Sequence, residues 1–342
     1  MPDQLHRLIA AMNRCTARLR GAQLFIPILL SLPLAACRKE SPASKTMDHS
    51  QPAIMSPALS SSVSLALSSH PLPPESTETS PSPPLPPDEV IHRPKAISAG
   101  EKLPFILWLH GLGASGELLR SALHVDALAE LYHFAFACPE GTMDSMLRRF
   151  WNASPVCCDF DHQGVDHVTR LTNILRRAES QSDIDPKRLF VVGFSNGGFM
   201  AHRLACSKSA HLAGIASMAG LGPSQGEACT PARPVRILEI HGGSDIIVRP
   251  EGGRLFDDPS SPEHPALRVT VDSWAKRNQC ATLPPTSKSV DLIPNLTGKE
   301  TTEISFAKCA ASVELWTIAG GGHMSVNAPG VVKAALEGLL TH

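Results

Sequence analysis

The chain has 342 residues, a formal net charge of -1 and 18% charged residues. That balance excludes an electrostatic case for nucleic acid or for an anionic membrane surface as partner. Thirty prolines are too many for one compact domain, and their crowding ahead of residue 96 divides the chain into a leader, a tether and one globular part.

Arg14, Arg18 and Arg20 form a basic n-region ahead of an apolar stretch over 24–37. The stretch is too short to span a bilayer and contains Pro27 and Pro33. It reads as a secretory signal over 1–36 rather than a membrane helix. Leu34-Ala35-Ala36-Cys37 resembles the bacterial lipobox, in which the cysteine is lipidated and becomes the mature N-terminus. Acyl chains on Cys37 would hold the protein on a leaflet without any spanning helix. The expected location is therefore outside the cytoplasm: an outer membrane or cell surface, or otherwise the periplasm or medium. Residues 37–96 are dominated by Pro, Ser, Thr and Ala and read as a disordered tether. The globular domain is expected over 97–342.

Outside the leader and anchor, seven cysteines remain: Cys138, Cys157, Cys158, Cys206, Cys229, Cys280 and Cys309. In an oxidising compartment several are expected to pair, and an odd number leaves at least one free. Cys138 ends an apolar run and is the candidate buried thiol. Cys280 and Cys309 bracket a polar insertion that they could staple. Spacing alone does not decide the connectivity.

In chain order, "PFILWLH" (104–110), "HFAFAC" (133–138), "RLFVVGF" (188–194), "GIASMAG" (214–220), "VRILEIH" (235–241) and "VELWTI" (313–318) read as buried strands. Between and after them, stretches at 116–132, 164–180, 197–208, 266–278 and 329–340 carry helical spacing. Continuous apolar strands alternating with helices predict an α/β domain, a mostly parallel central sheet with helices on both faces. Such sheets carry their sites in loops at the carboxyl ends of the strands.

Gly193-Phe194-Ser195-Asn196-Gly197 stands where a strand gives way to a helix. A sharp strand–turn–helix needs small residues two before and two after the serine, and it lifts the hydroxyl above the sheet. A glycine-rich helix start with serine as N-cap would carry the same letters, so the partners decide. A serine hydroxyl needs a base, oriented by a carboxylate. His323 sits in "AGGGHM" after the last strand, and Asp245 in "HGGSD" after an earlier one, which gives the chain order serine, acid, histidine. Asp257 and Asp258 compete for the acid role. Two backbone N–H donors are needed for a tetrahedral oxyanion; Asn196 and Leu112 are the candidates, Leu112 lying in "LHGLG". His110 in the same loop reads as structural, or as lining the substrate site.

The segments "LHGLG", "RFWNASPVCCDFDHQGVDHV", "DPKRLFVVGFSNGGFMAHRLAC", "EIHGGSDIIVRPEGG" and "GGGHM" together resemble the secreted esterase family of poly(3-hydroxybutyrate) depolymerases, feruloyl esterases and acetylxylan esterases. The resemblance runs from about residue 100 to 340. It implies an α/β-hydrolase fold, a triad of Ser195, Asp245 and His323, and no metal or other cofactor. It further implies that Trp151 lies near the active-site mouth and contacts substrate, with the segment near Asp166 beneath it. The sequence departs from the family in three places. Only "EVIHRPKAISAGEK" precedes "LPFILWLHG", so the first hairpin of the sheet is expected to be shortened or absent. Met324-Ser325-Val326 follows the histidine where tryptophan is common, and His167 stands where a second aspartate is common. The expected substrates are short acyl, hydroxyalkanoate or polysaccharide-linked esters, since no folded polymer-binding module is legible on either side of the domain. No protein partner is implied. The competing expectation is a surface lipoprotein that binds a ligand in a degenerate cleft without turning it over.

Overall fold

The computed structural model describes residues 89–207, 211–222 and 228–341. The signal over 1–36, Cys37 and the tether up to residue 88 lie outside the described residues. Within Glu78–His342, one compact unit, the architecture is an eight-stranded sheet. Its strands are β1 (Leu103–Leu109), β2 (Ala135–Ala137), β5 (Ile184–Phe194), β6 (Gly214–Met218), β7 (Arg236–Gly242), β10 (Thr286–Val290), β11 (Thr301–Ser305) and β12 (Val313–Ile318). Two short hairpins stand apart: β3 (Thr142–Met143) with β4 (Arg149–Phe150), and β8 (Gly253–Arg254) with β9 (Glu263–His264). The sheet order is β2-β1-β5-β6-β7-β12-β11-β10. Every pairing from β2 to β12 is parallel, and β11 is antiparallel to both of its neighbours.

Alternate side chains of each strand point to opposite faces, which divides the core in two. Phe105, Leu107 and Leu109 of β1 join helices α3 (His167–Glu179), α4 (Asn196–Ala205) and α5 (Leu267–Arg277) on one face. Ile106 and Trp108 join α1 (Gly116–Ala122), α2 (Val125–Tyr132) and α6 (Pro329–Leu340) on the other. Both faces are covered, which is why the central strands are mostly apolar rather than alternating. The single helix expected over 116–132 is two, because His124 takes a left-handed φ of 53° between them.

Among the described residues no hairpin precedes β1. In its place His92 exchanges two backbone hydrogen bonds with Phe136, of 2.7 and 2.9 Å, as an isolated antiparallel bridge on β2. The ordered domain therefore begins ahead of residue 97. Glu89 pairs with Arg170 and Arg177 on α3, and Arg93 pairs with Asp183. Those three ion pairs are what a composition dominated by proline and serine conceals.

Among the described residues three disulfides are present: Cys157–Cys158, Cys206–Cys229 and Cys280–Cys309. The last closes the segment that holds β10 and β11. Cys138 is a free, buried thiol whose pKa burial pushes well up.

From β1 the chain runs through α1 and α2 to β2 on one side, then returns through α3 to β5 on the other side of β1. The loops leaving β1 and β5 thus diverge at adjacent carboxyl ends. That is the crevice where a doubly wound sheet holds its ligand.

Candidate active site

Ser195 stands at this crevice, between β5 and α4, with φ 54° and ψ -118°. A non-glycine residue in that region is strained. Its N–H is fixed by the Met218 carbonyl at 2.8 Å, and its carbonyl accepts from Phe199 N–H at 3.1 Å. The flanking glycines are obligatory for contact reasons. A Cβ on Gly193 would overlap the Gly197 carbonyl, and one on Gly197 would overlap the Leu109 carbonyl. The turn can form only where helix, strand and the end of β1 approach backbone to backbone.

His323 joins Ser195 to Asp245. Its Nε2 lies 2.9 Å from Ser195 Oγ, and its Nδ1 lies 2.7 Å from Asp245 Oδ2. Phe194 packs its ring against the imidazole, with centroids 5.2 Å apart. Asp245 is buried, and its Oδ1 accepts from the N–H groups of Ile247 and Val248 at 2.8 and 3.0 Å. Burial alone would raise its pKa. The bond to His323 and those two backbone donors outweigh burial, and the carboxyl stays below its usual range.

The acid and histidine loops are bonded to each other. Gly243 N–H donates to the Ile318 carbonyl and Ser244 N–H to the Gly321 carbonyl, both at 2.8 Å. Ser325, in the stretch where the resembling family has tryptophan, accepts the Gly322 N–H on its hydroxyl at 3.0 Å. Asp257 and Asp258 take no part in the site. Asp257 is exposed and paired with Arg249, and Asp258 accepts from Ser260.

The loop after β1 lies directly against the serine. A Cβ on Gly111 would stand 3.3 Å from Ser195 Cβ. Leu112 follows Gly111 directly in this loop, and Asn196 follows Ser195. The Asn196 side chain was not anticipated: its Oδ1 accepts from Trp151 N–H at 2.7 Å and its Nδ2 donates to the Trp151 carbonyl at 2.9 Å. The bonded pair Cys157–Cys158 packs beside this clamp, with Asn196 Nδ2 3.4 Å from Cys157 Sγ.

Two expected substrate contacts are corrected. Trp151 and His110 are both 0% exposed. The Trp151 indole N–H donates to the His110 carbonyl at 2.9 Å. The His110 ring donates through Nδ1 to the Gly111 carbonyl and accepts the Gly141 N–H at Nε2. Neither ring has surface left for a ligand; they form a buried wall beside Ser195. His167 is part of the same wall: its Nδ1 accepts from Asn152 N–H at 2.9 Å, and its Nε2 bonds the Thr142 hydroxyl at 3.0 Å. Asp166 caps α3 by accepting from Thr169 N–H. Among the described residues, no group of His, Cys, Asp or Glu converges to hold a metal ion.

Residues 95–257 match the phospholipase/carboxylesterase family model. A putative esterase of Nocardia uniformis subsp. tsuyamanensis is 32% identical over 160 residues, 47% of this chain and 45% of that protein. Feruloyl esterase B of Piromyces equi is 27% identical over 238 residues, 68% of this chain and 42% of that one. The chain spans less than half the length of these two relatives. The solved acetyl xylan esterase from Aspergillus awamori superposes with a TM-score of 0.51 at 16% identity, covering 73% of this chain and 93% of that one. Fold and topology are those of an α/β-hydrolase.

Two outcomes follow from these contacts. Gly197→Ala forces a side chain into the β1 carbonyl and is expected to lower stability by about 1–3 kcal/mol, read as a reduced urea midpoint. His167 is held neutral, its pKa lowered to about 4 from 6.5 by burial first and by Arg170 next. The unfolded chain then takes up the proton first on acidification. The stability this adds is complete above pH 6.5 and is lost as pH falls toward 4. The melting temperature is expected to drop over that window, and less steeply in His167→Gln.

Proposed function

We propose that this protein is a serine carboxylic-ester hydrolase in which Ser195, His323 and Asp245 act as the triad. The observation that carries the reading is the bridging imidazole, in bonding range of the serine hydroxyl on one nitrogen and of a buried carboxylate on the other. In the resting enzyme His323 Nδ1–H donates to Asp245, so Nε2 is the free base facing Ser195 Oγ–H. Ser195 attacks the ester carbonyl while Nε2 takes its proton. The imidazolium then passes that proton to the departing alkoxide oxygen, and the alcohol leaves. Water, deprotonated by the same nitrogen, attacks the acyl-enzyme and releases the acid and free Ser195. The backbone N–H groups of Leu112 and Asn196 are the donors for the oxyanion of both tetrahedral intermediates.

Exposed apolar side chains stand on the loops that carry the triad. Ile246 follows Asp245 and Met324 follows His323. Phe256, also exposed, is tied to the acid loop by a bond from its N–H to the Ile247 carbonyl. They favour an ester with an apolar acyl or aryl part. The named relatives include esterases for feruloyl and acetylxylan substrates, and short acyl, hydroxyalkanoate and polysaccharide-linked esters are the classes assigned here. The lipobox-like Leu34-Ala35-Ala36-Cys37, together with three disulfides, supports an exported, lipid-anchored protein.

Steady-state hydrolysis of p-nitrophenyl butyrate, methyl ferulate and hydroxybutyrate oligomers tests the reading. Turnover of at least one class is expected. Ser195→Ala should abolish it, and Asp245→Asn should lower kcat by about three to four orders of magnitude, while Asp257→Asn leaves it unchanged. Absence of turnover across the panel would favour a ligand-binding protein instead. Cys37→Ser is expected to move the protein from the membrane fraction to the soluble fraction; unchanged fractionation would remove the anchor.

A further inference from the structure

Behind the triad lies a row of buried polar side chains that the reaction above does not use. Glu239 on β7 is 0% exposed, a carboxylate in the middle of an apolar sheet. Its Oε2 lies 2.8 Å from His202 Nε2 and its Oε1 lies 3.4 Å from His241 Nδ1. His202 and His241 are themselves 0% exposed. A buried carboxylate is costly to keep ionised without a compensating partner, so the charge states of its neighbours matter.

The groups facing this carboxylate and its partners are His202 from α4, His241 from β7, Asp245 from the loop after β7, and His264 from β9. The Trp274 indole N–H donates to His202 Nδ1 at 3.0 Å. An imidazole that accepts on Nδ1 is neutral, so His202 donates Nε2–H to Glu239. Burial pushes the His264 pKa down, and its Nδ1–H is spent on the Pro265 carbonyl. His241 differs from both. Its Nε2 lies 2.8 Å from the Val248 carbonyl and 3.5 Å from Asp245 Oδ2, and its Nδ1 faces Glu239. Every partner of its two ring nitrogens is an acceptor. Burial opposes a charge there, but Glu239, the Val248 carbonyl and Asp245 outweigh it, and the His241 pKa stands above its ordinary value.

We propose that Glu239 is a positioning residue: it holds His241 as a buried imidazolium, and that imidazolium fixes Asp245 where His323 meets it. The proposal rests on Asp245 acting as the triad acid. Val248 is gripped at both of its polar groups, its N–H by Asp245 Oδ1 and its carbonyl by His241 Nε2–H. The same nitrogen lies alongside Asp245 Oδ2, the oxygen that receives His323. Through His202, Glu239 also reaches α4, the helix that begins at Ser195. Nucleophile helix and acid loop are thereby tied through one carboxylate.

Nitrogen-resolved NMR of the histidine-labelled full chain reads the ring protonation directly, with His241→Gln identifying the signal. Wild type at neutral pH is expected to show both His241 nitrogens protonated, and Glu239→Gln a single protonated nitrogen. Kinetically, Glu239→Gln should lower kcat about tenfold with KM unchanged, and Glu239→Gln combined with His241→Gln should lose no more than His241→Gln alone. A neutral His241 ring in the wild type overturns the proposal, as do fully additive losses. The NMR result does not require turnover, so failure of the esterase reading and failure of this proposal are separate observations.

Discussion

The close backbone approach around Ser195 is the constraint on which the rest of the site depends. A serine at φ 54° and ψ -118° costs on the order of 1–3 kcal/mol and persists only where its surroundings over-determine it. Here the end of β1, the last turn of β5 and the first turn of α4 meet with no room for a Cβ at Gly193 or Gly197. The strain puts the hydroxyl at the crevice where the loops leaving β1 and β5 diverge, and so within reach of loops from four different strands. Rigid sheet ends supply the precision, and the loops supply the chemistry.

Around that point, polar groups that would be costly alone satisfy one another. The acid loop and the histidine loop share backbone hydrogen bonds, which tie the segment carrying Asp245 to the segment carrying His323. Asn196, His110, Trp151 and His167 form a wall in which each ring or amide uses its polar atoms on backbone neighbours. These side chains orient backbone at the base of the site and leave the apolar residues of the rim to meet a substrate. The Glu239–His241 pair extends the same logic one layer deeper, into the sheet.

The six buried strands were legible in the sequence because each is mostly apolar, with few polar interruptions, the pattern that a sheet covered on both faces demands. Ser195, Asp245 and His323 were legible because each follows such a run in a glycine-bearing loop. The edge strand β10 and its neighbour β11 were not: "TSKSV" and "TTEIS" are mostly polar, β10 is mostly solvent-facing, and both are held by strand pairing rather than by an apolar run. The full burial of Trp151 was not legible for a related reason, while His110 is buried as its structural reading expects. A large ring near a catalytic motif serves a wall or a mouth equally well, and only its 0% exposure distinguishes them. Glu239 went unnoticed inside "RILEIHG", although Glu and His two apart on a strand share a face. Residues 89–96 were assigned to the tether by composition, while their order comes from ion pairs with residues some ninety positions away.

The most direct measurement is covalent: the full chain is treated with a fluorophosphonate and the adduct is located by peptide mass. Phosphonylation confined to Ser195, and lost in His323→Ala while the fold is retained, is the expected result. A protein that stays unmodified, or is modified at another serine, would contradict nucleophilic catalysis at this site.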